Sequence, residues 1–124
     1  MDRIVLGNLE LDRDRFEARI DGRLVGVTYT QFQLLYQLAA QADRVVERDD
    51  LLQAIWGTAS AEEARKLRIH ISRLRKRIAE SRPWRIKTVT KRGYALVNVE
   101  AGIRLPPFVL AHAPGRPSAQ GEGA

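Results

Sequence analysis

The stretch from Arg65 to Ile78 constrains this chain most, because it combines a hydrophobic stripe with an uninterrupted run of cations. At about 100° per residue, four apolar side chains fall on one narrow side of a helix. They are Leu67, Ile71, Leu74 and Ile78. This is the spacing of a helix face that packs on a core. The other side of the helix is unusual, because solvated helix surfaces normally mix both signs of charge and residues 65–78 contain no acid. The pattern predicts an amphipathic helix whose outer side faces a polyanion such as nucleic acid.

Charge is divided unevenly along the chain. Residues 61–94 hold twelve cations and three acids, a net charge of +9, whereas the remaining residues carry a net charge of −3. A separated charge of this kind creates a directional field that can orient a polyanion. We therefore expect the basic part to bind a polyanion and the acidic part to serve another purpose.

Length and composition narrow the classes of protein. A chain of 124 residues fits one domain, and the lack of cysteine removes disulfides and thiolate metal sites, which suits a reducing compartment. The N-terminus lacks a long apolar core, and no stretch approaches the roughly 20 apolar residues that span a bilayer. We expect a soluble, cytoplasmic protein that does not contact a membrane.

The first part of the chain has the pattern of a small sheet. Short apolar or alternating runs between residues 4 and 27 are broken at Gly7-Asn8, at 12–14 and at Asp21-Gly22. The last of these is a two-residue hairpin signal, because both turn positions require positive φ. Residues 4–27 are therefore predicted to form a four-stranded antiparallel sheet.

Two helices are predicted next. Thr28 and Gln31 have the spacing of a capping box, which begins a helix that runs to about Gln41. A second helix is predicted over 48–56 and ends at Gly57, a residue that readily adopts the left-handed cap conformation.

Acidic pairs stand where the second and third helices begin. Asp49 and Asp50 lie in the first turn of the second helix, and Ser60 with Glu63 predicts another capping box at the start of the cationic helix. A favourable interaction with the helix N-terminus explains these carboxylates more simply than acid–base catalysis does. The three helices are predicted to occupy residues 28–80.

A basic hairpin is predicted after the cationic helix. Residues 84–87 and 94–99 have strand patterns, residues 88–91 are predicted as the turn, and Arg92-Gly93 is placed at or near the tip. A basic hairpin directly after a basic helix is typical of a wing, so we assign the wing to 84–99 and one domain to 1–99. Residues 100–112 are predicted as a strap or partner segment, and residues 113–124, rich in Gly, Pro, Ser and Ala, as a disordered tail.

Several motifs occur here at the spacing of one family of bacterial regulators. They are TYTQFQLL at 28–35, VVERDDLL at 45–52, IWG at 55–57, HISRLRKRI at 70–78, TV at 88–89 and GY at 93–94. Over residues 4–97 the chain resembles the winged-helix DNA-binding domain of OmpR/PhoB-type response regulators. The resemblance implies an α+β fold, a winged helix-turn-helix with an N-terminal four-stranded antiparallel sheet, three helices and a C-terminal β-hairpin wing.

The resemblance also implies a function. In that family the third helix enters the major groove, the wing reaches the adjacent minor groove, and monomers commonly occupy direct repeats. We therefore expect sequence-specific binding of double-stranded DNA by a bacterial transcription regulator, possessing no enzyme activity and needing no cofactor.

Individual residues follow from the same comparison. The resemblance implies that Arg65, Ile69, His70, Ser72, Arg73 and Arg75 face DNA, that Arg48 and Trp56 contact phosphate, and that Thr88 and Thr90 lie on the wing. The chemistry agrees for Arg73, which can pair bidentately with guanine, and for Ile69, which can meet a thymine methyl group. The flanking cations, among them Lys66, Arg68 and Lys76, are expected to neutralise phosphates and fix the register.

Three features depart from the family pattern. The 124 residues include no receiver domain, so we expect no switch by receiver phosphorylation in this chain, although it could be a fragment of a larger regulator. Arg68 stands where the family often has Asp, which predicts a different base preference and a higher phosphate affinity. Thr90-Lys91 replaces the usual Arg-Gly, and residues 91–94 are more similar to the wing of ToxR/CadC-type regulators. Lys91 and Arg92 then become the wing cations, and Arg92 is our hypothesis for the side chain that enters the minor groove.

Other functions stay open at this point. The fold could serve as a protein-interaction module, with the acidic N-terminal half and the loop Gly57 to Ala61 contacting RNA polymerase or another regulator. Two copies could associate weakly or only on DNA. Binding of RNA, or nonspecific binding in the nucleoid, is a third possibility. His70 as a metal ligand is the least favoured interpretation, because a lone helical histidine is usually a polar contact, and no set of residues typical of an enzyme occurs.

Overall fold

Two antiparallel sheets flank three helices in the computed structural model, which describes residues 3–81 and 83–100. The first sheet has strands β1 (Arg3–Leu6), β2 (Leu9–Asp12), β3 (Glu17–Ile20) and β4 (Arg23–Val25). The helices are α1 (Tyr29–Ala40), α2 (Arg48–Trp56) and α3 (Ala61–Arg77). The second sheet has strands β5 (Val46–Glu47), β6 (Trp84–Val89) and β7 (Gly93–Asn98). This architecture confirms the predicted winged-helix fold.

The first sheet is a meander, with strand order β1-β2-β3-β4. Asp21 and Gly22 have φ values of 54° and 80°, so the β3–β4 hairpin is the tight turn that their sequence predicts. Leu9 and Leu11 of β2 and Ala18 and Ile20 of β3 are buried. One face of the sheet therefore packs on the helices.

Local signals set the ends of the first two helices. The Thr28 hydroxyl accepts from the Gln31 N–H at 3.1 Å and the Gln31 side chain accepts from the Thr28 N–H at 2.9 Å, which is the predicted capping box. Gly57 has φ 74° and ends α2 in the left-handed conformation.

The third helix begins with only half of its predicted capping box. The Ser60 hydroxyl accepts from the Glu63 N–H at 3.3 Å, but the Glu63 carboxylate approaches Lys66 at 3.5 Å, an ion pair at (i, i+3), instead of returning to the cap. The predicted apolar stripe is buried, including Ile78, which caps the helix after Arg77.

The wing is one part of a larger sheet than the sequence predicted. Strand order is β5-β7-β6, because the two-residue strand β5 pairs with β7 through Val46↔Tyr94 and Glu47↔Gly93. The prediction of a turn at 88–91 is wrong: Thr88 lies within β6, and the turn occupies 90–92. A ladder of six residue pairs, from Trp84↔Asn98 to Val89↔Gly93, carries β6 past the predicted boundary.

A single cluster of buried side chains joins the first sheet, the helices and one face of the second sheet. From the second sheet it includes Trp84, Ile86, Tyr94 and Leu96, whereas Val89, Ala95 and Val97 form a small separate cluster. The core thus fixes α3 against β6 and β7. The predicted strap and tail lie outside the described residues, apart from Glu100.

Candidate nucleic-acid interface

The outer face of α3 is open to solvent along its length. Exposed residues on it are Arg65, Lys66, Arg68, Ile69, Ser72, Arg73 and Lys76. Half of the Ile69 side chain is exposed (50%), although this helix buries Leu67, Ile71 and Leu74. A cationic surface with one exposed aliphatic side chain can contact both phosphates and a thymine methyl group.

Acids balance this surface only near the helix start. Lys66 lies 3.8 Å from Glu62 and 3.5 Å from Glu63, which are both in the first turn. Pairs of this kind on an exposed helix are weak and are screened by salt. The cationic character of α3 therefore lies mainly beyond its first two turns.

A cleft of about 430 Å³ joins α3 to the wing tip and to the start of α2. Arg48, Arg68 and Lys91 line it from these three elements, and Tyr94 from β7 also borders it. Burial raises the pKa of Tyr94 above its ordinary value, against the opposing effect of Arg75, Arg68 and Arg48. Its hydroxyl is therefore neutral, and the cleft that it borders is lined by Glu47, Asp49 and Asp50 as well as by cations.

His70 packs on Trp56. Their ring centroids lie 5.8 Å apart at 36°, and His70 Nδ1 is buried with no hydrogen-bond partner among the described residues. Burial lowers the pKa of His70 below its ordinary value of 6.5, and the neighbouring Arg73 and Lys66 lower it further. His70 is therefore a neutral ring that joins α3 to the end of α2.

Arg75 differs from the other cations of α3. Its Nε donates to the Ile86 carbonyl at 3.0 Å and its Nη2 donates to the Thr88 hydroxyl at 2.6 Å, both on β6. In the free chain the Arg75 guanidinium is therefore directed at β6 and is only partly exposed. Contact of Arg75 or Thr88 with DNA stays a prediction.

The wing tip is tied to the start of α2. The Arg92 side chain forms an ion pair with Glu47, with a further bond from Arg92 Nε to Glu47 Oε2 at 2.8 Å, and the Arg48 N–H donates to the Arg92 carbonyl at 2.8 Å. Lys91 is exposed with φ 64°, whereas the Thr90 hydroxyl oxygen is buried and lacks a hydrogen-bond partner within the described part of the chain. In the free chain Arg92 thus faces Glu47, and its entry into a minor groove stays a hypothesis.

Sequence reasoning missed two residues of this region. The sequence places Glu47 only within the VVERDDLL motif, and the structure makes it the partner of Arg92. Tyr94 was used as a motif residue, yet it borders the cleft. No local signal in the sequence could have revealed the ion pair, because Glu47 and Arg92 are 45 residues apart. The pairing of β5 with β7 brings the two side chains together.

Within residues 3–81 and 83–100, no three His, Cys, Asp or Glu side chains are grouped as a metal site. None of the helices in the same ranges has the length and apolar character to cross a bilayer.

Comparison with known proteins identifies the family. The model of the family "Transcriptional regulatory protein, C terminal" matches residues 22–96, which run from the β3–β4 turn to β7. The chain belongs to this family. The family is a transcription-regulator DNA-binding domain, which is not a class of enzyme.

Relatives of known name agree with this assignment. CseB, a transcriptional regulatory protein of Streptomyces coelicolor, is 37% identical over 93 residues, which are 75% of this chain and 38% of CseB. CpxR of Klebsiella pneumoniae is 39% identical over 93 residues, 73% of this chain and 40% of that protein. The chain thus spans less than half the length of these curated relatives.

Solved structures agree as well. The DNA-binding domain of CpxR from E. coli matches with a TM-score of 0.70 and 34% identity, over 79% of this chain and 98% of that one. The RstA DNA-binding domain of Klebsiella pneumoniae, solved in complex with the RstA box, matches with a TM-score of 0.69 and 31% identity, over 78% and 98%.

Proposed function

We propose that this chain binds double-stranded DNA with sequence specificity, as the DNA-binding part of a bacterial transcription regulator. The outer face of α3 lies in the major groove, and the turn at 90–92 lies against the adjacent minor groove. The observation that carries the proposal is the open cationic face of α3, which borders the same cleft as the wing tip.

The residues divide by chemistry into two groups. Arg73 and Ile69 are exposed on the middle of α3 and read base edges, guanine and a thymine methyl group respectively. Six further exposed cations on α2, α3 and the wing contact phosphate and set the register of the protein on the duplex, together with Trp56. This second group comprises Arg48, Arg65, Lys66, Arg68, Lys76 and Lys91.

Selection from a pool of random duplexes tests the proposal. The chain should enrich one sequence, and titration of the enriched duplex with salt should give a slope of about −0.9 per phosphate contact. Enrichment of no sequence, or displacement of the probe by random duplex as effectively as by the enriched one, contradicts sequence-specific binding. Displacement by structured RNA would favour the RNA alternative.

Two substitutions separate base reading from phosphate contact. Arg73→Ala should cost about 1 to 3 kcal/mol on the enriched duplex and relax the preference at one position. Lys76→Ala should weaken binding to all sequences alike and reduce the salt slope by about 0.9. Arg15→Ala is the matched control, because Arg15 is an exposed cation on the β2–β3 turn, in the first sheet. Equal effects of Arg73→Ala on enriched and random duplex would remove Arg73 from base reading.

A contact with RNA polymerase is a second proposal, supported by the loop between α2 and α3. Residues 57–61 are all exposed. Binding of purified polymerase holoenzyme to the chain on its enriched duplex, compared between the wild type and Thr58→Asp, tests it. Equal binding by both chains would argue against this loop.

The assembly on DNA is also proposed. Two copies occupy a direct repeat and associate only weakly or only on the duplex. Repeat spacing in the enriched sequence and sedimentation with and without DNA test this point. The same proposal takes residues 1–99 as the DNA-binding unit in the cytoplasm, associated with the nucleoid. Its wing is ToxR/CadC-like: Thr90-Lys91 replaces the usual Arg-Gly, and Lys91 and Arg92 are the wing cations.

A further inference from the structure

Besides the shared core, one side chain of α3, Arg75, forms hydrogen bonds to the wing. Among the cations that the motif places on α3, it is the one whose guanidinium bonds to β6, through the Ile86 carbonyl and the Thr88 hydroxyl. Two donors of one planar guanidinium fix both a distance and an angle, which a single flexible ammonium does not.

The bonds from Arg75 reach the edge strand of the second sheet, close to the turn of the wing. β6 lies at the edge of the three-stranded sheet, with β7 on one side only. Thr88 lies on the same face of the sheet as Ile86 and is paired with Tyr94. Ile86 and Tyr94 are buried against the helices. The Arg75 guanidinium therefore holds the outer strand of the wing two residues before the turn at 90–92, about 7 Å along the strand.

The inner strand of the wing is held separately. β7 pairs with β5, and the Arg48 N–H donates to the Arg92 carbonyl at 2.8 Å. Arg75 supplies the corresponding anchor for the outer strand, from the helix that carries the proposed base-reading residues. A shift of this strand would change the distance between the helix and the turn.

The contact between Arg75 and β6 is partly buried. Burial lowers the pKa of Arg75 from its ordinary value, with Tyr94 opposing that effect. Charged donors buried with satisfied acceptors form the stronger class of hydrogen bond, and the loss of one partner leaves the other unsatisfied.

We propose that Arg75 is a positioning residue, which sets the wing relative to α3 so that both fit one duplex, and that it acts through Thr88 rather than by direct contact with DNA. The expected effect of Arg75 on DNA binding rests on the proposed function. Its expected effect on the order of the wing is measured in the free chain and does not.

The test compares Thr88→Val, which removes the acceptor with little change in shape, with Thr88→Ser, which keeps it. Arg75→Gln removes the guanidinium with its two donors, Nε and Nη2. Arg77→Lys is the control, a conservative change at an exposed cation of the same helix. In the free chain, amide hydrogen exchange of residues 88–92 should become about threefold to tenfold faster in Thr88→Val and Arg75→Gln, and stay at the wild-type rate in Thr88→Ser and Arg77→Lys.

Binding to the enriched duplex provides the second readout. Thr88→Val should weaken affinity by about threefold to tenfold with an unchanged salt slope, because it removes no charge. The double variant with Arg75→Gln should bind no worse than Arg75→Gln alone, since both changes break the same link.

Two results would overturn the inference. One is unchanged exchange in Thr88→Val and Arg75→Gln. The other is an Arg75→Gln chain whose salt slope falls by about 0.9 while Thr88→Val binds like the wild type, which is the signature of a direct phosphate contact. If the wild type enriches no duplex, the proposed function fails, and the exchange comparison still decides whether Arg75 orders the wing.

Discussion

Replacement of Gly93 by Ala is the sharpest perturbation that the fold offers. Gly93 begins β7 opposite Glu47, and a Cβ at this position would lie 2.0 Å from the Val46 carbonyl oxygen and 2.8 Å from the Arg48 nitrogen. Both are backbone atoms, so no side-chain rotation relieves the contact. β5 must move away from β7 by more than 1 Å, since ordinary contacts begin above about 3 Å.

The magnitude follows from what that movement breaks. It separates β5 from β7 and disrupts the bond of 2.8 Å from the Arg48 N–H to the Arg92 carbonyl. At about 0.5–1.5 kcal/mol per hydrogen bond, the loss of two or three such bonds costs roughly 1–4.5 kcal/mol. For a domain of this size that lowers the melting temperature by at least about 4 °C.

Urea unfolding followed by the fluorescence of Trp56 and Trp84 measures this cost. Gly26→Ala is the matched control, because a Cβ at Gly26 meets no atom within 4 Å. We expect the control to change the free energy of unfolding by less than about 1 kcal/mol. A Gly93→Ala chain as stable as the Gly26→Ala chain would refute the close approach of β5 to β7 on which the wing geometry depends.

Three further outcomes are expected. Thr28→Ala should lower the free energy of unfolding by about 1 kcal/mol, because it removes the hydroxyl of the capping box. Thr28→Ser keeps that hydroxyl and is the control, so equal stability of the two variants would contradict this. The pKa of His70 is lowered in the folded chain by burial and by two cations of α3, so the unfolded state binds the proton more readily. The wild type should therefore lose stability as the pH falls through about 6.5, and His70→Gln should lose less in urea titrations at several pH values. Glu47→Gln should leave the free energy of unfolding nearly unchanged, because the ion pair between Glu47 and Arg92 is exposed. It should raise the affinity for duplex DNA by about twofold to fivefold, because Glu47 then no longer competes with phosphate for Arg92. Weaker binding would argue against this competition.

The elements that the sequence predicted well have local causes. The Asp21-Gly22 turn, the Thr28 capping box and the Gly57 cap each depend on residues within a few positions of one another. The stripe of α3 is equally local, because helical periodicity places it without knowledge of the partner surface. These signals were enough to predict the order of the strands and helices apart from β5.

What the sequence could not predict depends on contacts between distant residues. β5 has two residues, too few for a strand pattern, and its pairing with β7 spans more than forty positions. Arg75 lies on the flank of α3, where periodicity alone cannot separate a solvent contact from a bond to β6.

The central claim is that the outer face of α3 and the turn at 90–92 contact the same duplex. Titration of the isotope-labelled chain with its enriched duplex, followed by amide chemical shifts, tests this most directly. The account predicts that the largest changes occur on the outer face of α3, around Ile69 and Arg73, and at residues 90–92, with little change in the first sheet. Changes concentrated on β1 to β4, with α3 unaffected, would contradict it.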